Sequence, residues 1–115
     1  MNKRMKYEDS NHVAEAHENG ILLPHREIFL HSIFDPEESG TDFRMANRFI
    51  KNLRILESMN DSPIVVHQYN VGGDWNAGMS IYDMILQSPC KIIFICHGIS
   101  ASMGSIIPQA ADIRI

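Results

Sequence analysis

Apolar residues run through this chain in two rhythms, one near a period of two and one near 3.6. Residues 27–31, 64–69 and 91–96 are short runs rich in Ile, Val and Phe, and each reads as a β-strand. The last, Lys91-Ile92-Ile93-Phe94-Ile95-Cys96, is apolar almost without a break, the pattern of a strand covered on both faces. Between the first two runs, Ala46, Phe49, Ile50, Leu53 and Leu56 recur at spacings of three and four. That stripe predicts a buried helical face over 42–59, with Thr41 as the N-cap. Arg44, Arg48, Lys51 and Arg54 fall off the stripe and read as a solvated face. Residues 75–87 read as a second helix, stopped by Ser88-Pro89. A third helix is expected from about Ala101, and 111–115 start another strand. Turn chemistry at 35–40, at Asn60-Asp61-Ser62-Pro63 and at Gly72-Gly73 separates these elements. The order strand, helix, strand, helix, strand, helix, strand predicts an α/β fold with largely parallel pairing. Residues 1–25 are polar and dotted with His12, His17 and His25, with weak helical potential over 11–18. They are expected to form a mobile N-terminal arm, which leaves 26–115 as the domain.

Composition narrows the function classes. A chain of 115 residues allows one domain. At 44% hydrophobic and 21% charged, it has the balance of a folded globular protein. A net charge of −4 gives no basic footprint for nucleic acid. No apolar run approaches the roughly 20 residues of a membrane span, and the N-terminus lacks the apolar core of a secretory signal. Cys90 and Cys96, on one strand, would lie about 20 Å apart, too far for a disulfide. Reduced thiols and a cytoplasmic setting follow. With His97 the pair lacks the Cys-x-x-Cys spacing of structural zinc sites.

Candidate chemistry lies in Gly98-Ile99-Ser100-Ala101-Ser102-Met103-Gly104, where a strand gives way to a helix. A serine nucleophile needs a base for its proton and donors for the oxyanion it creates. Ser102 at a helix start lies beside free backbone N–H groups, and its small neighbours leave room for a carbonyl. Gly72-Gly73 can turn another N–H toward the same point with no side chain in the way. Taken singly, each motif reads as close helix–strand packing or a simple turn.

Together the motifs resemble the proteolytic subunit of the Clp protease (ClpP). That family's Ser-Pro-Gly-Gly, Ala-Gly-Met-x-Ile-Tyr-Asp and Ala-Ala-Ser-Met-Gly pattern is matched by three segments here. They are Asn70-Val71-Gly72-Gly73, Ala77-Gly78-Met79-Ser80-Ile81-Tyr82-Asp83 and Ser100-Ala101-Ser102-Met103-Gly104. The step of 29 residues from Gly73 to Ser102 also agrees. The resemblance covers 26–115, and the divergent form is most similar to members carried by phages and prophages. It implies a crotonase-like α/β fold, of which this chain is the N-terminal portion of the ββα-unit spiral. It implies an ATP-dependent serine endopeptidase acting on unfolded proteins, with Ser102 as nucleophile and the amides of Gly73 and Met103 as oxyanion hole. It further implies heptameric rings stacked as a tetradecamer and fed by an AAA+ unfoldase, which uses the ATP. The subunit itself would need no metal or organic cofactor.

Three departures matter. The family's catalytic histidine and aspartate fall beyond Ile115, so the chain is expected to be the N-terminal part of a longer product and inactive as it stands. None of His12, His17, His25, His31, His67 and His97 is expected to replace the base. Val71 stands where the family has proline. Pro108 falls within the helix expected after Ser102, where a missing N–H and a crowded Gly104 carbonyl predict a kink costing about 3 kcal/mol. Other readings remain open: a non-catalytic Clp ring subunit, an acyl-CoA-binding crotonase-fold protein, or a Ser–Lys peptidase using Lys91.

Overall fold

The apolar runs pair side by side in the order in which they occur. A computed structural model describes residues 10–31 and 40–115. Helix α1 (Ser10–Asn19) leads into strand β1 (Ile21–Leu22), a 3₁₀ turn (Leu23–His25) and β2 (Glu27–His31). Then come α2 (Phe43–Met59), β3 (Ile64–Asn70), α3 (Trp75–Gln87) and β4 (Ile92–Ser100). A single turn of helix, α4 (Met103–Ile106), a 3₁₀ turn (Ile107–Ala110) and β5 (Ile113–Arg114) complete the order. The five strands form one sheet in the order β1-β2-β3-β4-β5. β1 runs antiparallel to β2, and every later pair is parallel. The α/β fold with largely parallel strands is therefore present.

Register explains where the core sits. Ile28, Val66 and Phe94 lie side by side across β2, β3 and β4, and Leu30, Gln68 and Cys96 form the next row on that face. The apolar members of the first row are buried against Phe49, Leu53 and Leu56 of α2 and Ala77, Ile81 and Ile85 of α3. Each large apolar side chain taken out of water there contributes about 1.5–3 kcal/mol. The next residues along, Phe29, His67 and Ile95, point to the other face and are only half-buried. This corrects one expectation. β4 alternates buried and half-buried positions over its first four residues, so α2 and α3 cover one face of it and not both. Its apolar run reads as doubly covered because Ile93 and Ile95 are apolar on the less covered side.

Other differences are local. The N-cap of α2 is Asp42, whose carboxylate accepts from the Met45 amide at 2.9 Å. Thr41 is instead held by a bridge to Gly73. Asn52 replaces Ile50 in the buried stripe, because its Nδ2 donates to the Asn19 carbonyl at 2.7 Å and so closes the end of α1. The sequence boundary after His25 is not a break in the fold. Ile21 and Leu22 pair with Ile28 and Glu27, and Gly20 is buried. β4 continues past Cys96 to Ser100. The turn expected over 35–40 lies, except for Gly40, outside the described residues. No helix among the described residues is long and apolar enough to cross a membrane.

Candidate active site

Parallel pairing of β3 and β4 brings the ends of both strands to one edge of the sheet, and both glycine-containing motifs sit there. β3 ends at Asn70 and turns through Val71, Gly72 and Gly73 into α3, whose N-cap Asp74 accepts from the Ala77 amide at 2.8 Å. β4 ends at Ser100 and turns through Ala101 and Ser102 into α4. The pairing shifts from Gln68 opposite Cys96 to Asn70 opposite Ser100, so β4 bulges over His97–Ile99. Bulges of this kind re-aim a strand end. Here the result is that the Ala101 amide donates to the Asn70 carbonyl at 3.0 Å and the two turns touch.

The contact is close enough to require glycine. Gly72 has φ +99°, and a Cβ there would lie 2.6 Å from the Ser102 Cβ and 3.0 Å from its Oγ. Ser102 has φ 56° and ψ −122°, outside the region that L-residues favour. Such a conformation costs on the order of 1–3 kcal/mol and persists only where its surroundings enforce it. It is the kind of strained strand-to-helix turn that presents a nucleophilic serine. Ser102 is exposed, and its Oγ makes no hydrogen bond to a described residue. Its carbonyl accepts from the Ser105 amide at 2.9 Å and the Ser105 hydroxyl at 2.7 Å. Met103 is buried as the first residue of α4, and Gly73 is exposed one residue after the contact. Neither amide donates to a protein acceptor among the described residues.

A buried polar chain beneath the turns was not foreseen. Gln68, Asn70 and Thr41 are all 0% exposed. Gln68 Nε2 donates to the Gly104 carbonyl at 2.8 Å and to Ser100 Oγ at 3.1 Å. Asn70 Nδ2 reaches Gln68 Oε1 at 3.4 Å, while Asn70 Oδ1 accepts from the Gly72 amide at 2.9 Å and the Thr41 hydroxyl at 3.0 Å. The sequence did carry a signal. Gln68 and Asn70 continue the inward alternation of Ile64 and Val66, so two polar residues occupy core positions of a strand.

Pro108 does not kink a regular helix. The α-helical turn ends at Ile106, and Pro108 enters the 3₁₀ turn at one of its first two positions, where a missing N–H is tolerated. The carbonyl left over, that of Gly104, is the one Gln68 takes.

His31, His67 and His97 line one hollow on the sheet. His67 and His97 face each other, Nδ1 to Nε2 at 3.0 Å, and His67 Nε2 meets Glu27 Oε1 at 2.6 Å. Phe29 stacks on His67 with ring centroids 5.2 Å apart. Partial burial, then the nearby His97 and His67, lower the pKa of His31 from its ordinary value. Lys91 precedes β4 at the end away from Ser102, on the order of 30 Å by the usual rise, which excludes a Ser–Lys pair within the chain. Cys90 and Cys96 are free thiols, and no group of three His, Cys, Asp or Glu among the described residues could hold a metal ion.

Comparison with known proteins adds an independent line. The profile of the family described as Clp protease matches residues 12–114. The chain is 38% identical over 73 residues to ATP-dependent Clp protease proteolytic subunit 2 of Pseudomonas aeruginosa, covering 64% of this chain and 36% of that protein. It is 35% identical over 92 residues to the ATP-dependent Clp protease proteolytic subunit of Deinococcus radiodurans, covering 79% and 42%. Among solved structures, ClpP1 from Listeria monocytogenes superposes with a TM-score of 0.67 at 29% identity, over 78% of this chain and 49% of that one. A point mutant of the same protein gives 0.69 at 27% identity, over 78% and 48%. The chain thus spans less than half the length of each of these relatives.

Proposed function

We propose, from the premise that this chain belongs to the Clp protease family, that it is the nucleophile-bearing part of a serine endopeptidase subunit. The observation that carries the reading is the strained, exposed Ser102 held against Gly72. Ser102 Oγ attacks the peptide carbonyl, and the amides of Gly73 and Met103 donate to the oxyanion. Each such donor is worth about 10²–10³ in turnover. A base takes the hydroxyl proton and returns it to the leaving amine, and water then hydrolyses the acyl-enzyme. That base and the acid that orients it are not among these 115 residues. Without them about 10³–10⁴ of acceleration over water remains, so the chain alone is inactive as a protease.

The reading extends to heptameric rings stacked as a tetradecamer, to unfolded protein substrates and to a cytoplasmic AAA+ unfoldase that hydrolyses the ATP. The subunit needs no cofactor of its own. Support comes from relatives described as ATP-dependent proteolytic subunits. An acyl-CoA-binding relative of the fold would need the two amides but not a serine in this conformation. The test is a fluorophosphonate probe applied to the full-length gene product. Labelling of Ser102 that disappears in Ser102→Ala is expected; labelling that survives the substitution overturns the assignment.

A further inference from the structure

We propose that Gln68 is the residue that positions Ser102, standing in for the backbone amide that Pro108 lacks. The inference rests on Ser102 being the nucleophile. At the C-terminal end of helix α4 the Ile107 amide donates to the Met103 carbonyl. The next bond in that series would run from residue 108 to the Gly104 carbonyl, and Pro108 has no hydrogen to give. Gly104 is buried, and so is the bond that its carbonyl accepts from Gln68. An unmatched buried carbonyl would open the turn that holds Ser102.

Gln68 closes the gap from the sheet. Its side-chain amide has two N–H groups, and its nitrogen has two partners near 3 Å, Ser100 Oγ and the Gly104 carbonyl. These lie two residues before and two residues after Ser102, so one rigid amide spans the nucleophile's turn. Its Oε1 accepts from Asn70, which holds the Gly72 amide and the Thr41 hydroxyl. The same chain therefore fixes the glycine turn against the serine turn. Gln68 touches no reacting atom. Its effect is to set where Ser102 Oγ stands relative to the amides of Gly73 and Met103.

The test is a pair of substitutions in the full-length gene product, read as the rate constant for fluorophosphonate labelling of Ser102 well below the melting temperature. Gln68→Met keeps the length of the side chain and removes both donors. It is expected to slow labelling by at least about tenfold in folded protein, as small displacements of a nucleophile do. Pro108→Ala restores the amide and is expected to leave the rate within about twofold. Combining the two should recover most of the lost rate, which a general loss of stability would not do. Labelling of Gln68→Met at the wild-type rate overturns the positioning role and leaves the nucleophile intact. A double variant no faster than Gln68→Met overturns the exchange of amides. If Gln68→Met does not fold, the double variant decides: folded and labelled protein supports the link, and unfolded protein overturns it. Wild-type protein that never labels at Ser102 refutes both readings.

Discussion

At the scale of single residues, the site depends on what can stand next to Ser102. Gly72 has both a positive φ and no room for a methyl, since Ser102 Cβ occupies that space. Gly72→Ala is therefore expected to destabilise the chain by at least about 2 kcal/mol, measured by urea unfolding, and to displace the serine. His31 gives the chain a pH response. Its folded-state pKa is depressed below the ordinary 6.5, by partial burial first and by His97 and His67 second. Charged groups nearby include Glu27, which is bonded to His67, and Arg44 and Arg48, which line a hollow with His31. A depressed histidine favours folding fully above 6.5, because there neither state binds the proton. As pH falls through the folded pKa the unfolded chain gains the proton more readily, and that stability is lost. His31→Gln should reduce the fall in melting temperature between about pH 7 and about pH 5. A fall of unchanged size would show that another group is responsible. Gly72 and Ser102 could be picked out in the sequence because their neighbours were small. The strain at Ser102 could not, since a positive φ on serine follows from the shape of the bulge and turn around it.

At the scale of elements, the ends of the helices show how far local rules reach. Thr41 and Asp42 are adjacent and both are competent caps, so propensity alone does not choose between them. Asp42 caps α2 because Thr41 is drawn into a bridge with Gly73 and a bond to Asn70. At the other end of α2 the cap comes from far away in sequence. Arg26 sends Nη1 to the Leu56 carbonyl at 3.0 Å and Nη2 to Asn60 and Ser62 carbonyls at 3.1 and 2.7 Å. A lysine cannot fork in this way. Arg26→Lys is expected to cost about 1–3 kcal/mol in chemical unfolding with the fold otherwise retained; a change within error would mean that solvent serves these carbonyls equally well. Helices α2 and α3 themselves were legible to within a residue, because their apolar spacing and the flanking turn residues agree.

At the scale of the whole molecule, the sheet decides what the motifs mean. Four parallel strands place the turns after β3 and β4 at one edge, and their register, shifted between Gln68 and Asn70, sets Ala101 on Asn70. The same sheet buries one face under α2 and α3 and leaves Phe29, His67 and Ile95 half-buried on the other. The sequence by itself determined the elements from residue 27 onward and their order, the family, and the identity of the small residues around Ser102, while β1 and its pairing with β2 were not read from it. It could do so because helical and strand periodicities are local, and glycine and proline punctuate the chain wherever it turns. Only the tertiary structure decided that Gly72 abuts a serine thirty positions later, that Gln68 takes the carbonyl Pro108 cannot serve, and that β4 is covered on one side. Those contacts depend on strand register and on a bulge. Both are set by the packing of the sheet as a whole, and neither leaves a periodic trace in the chain.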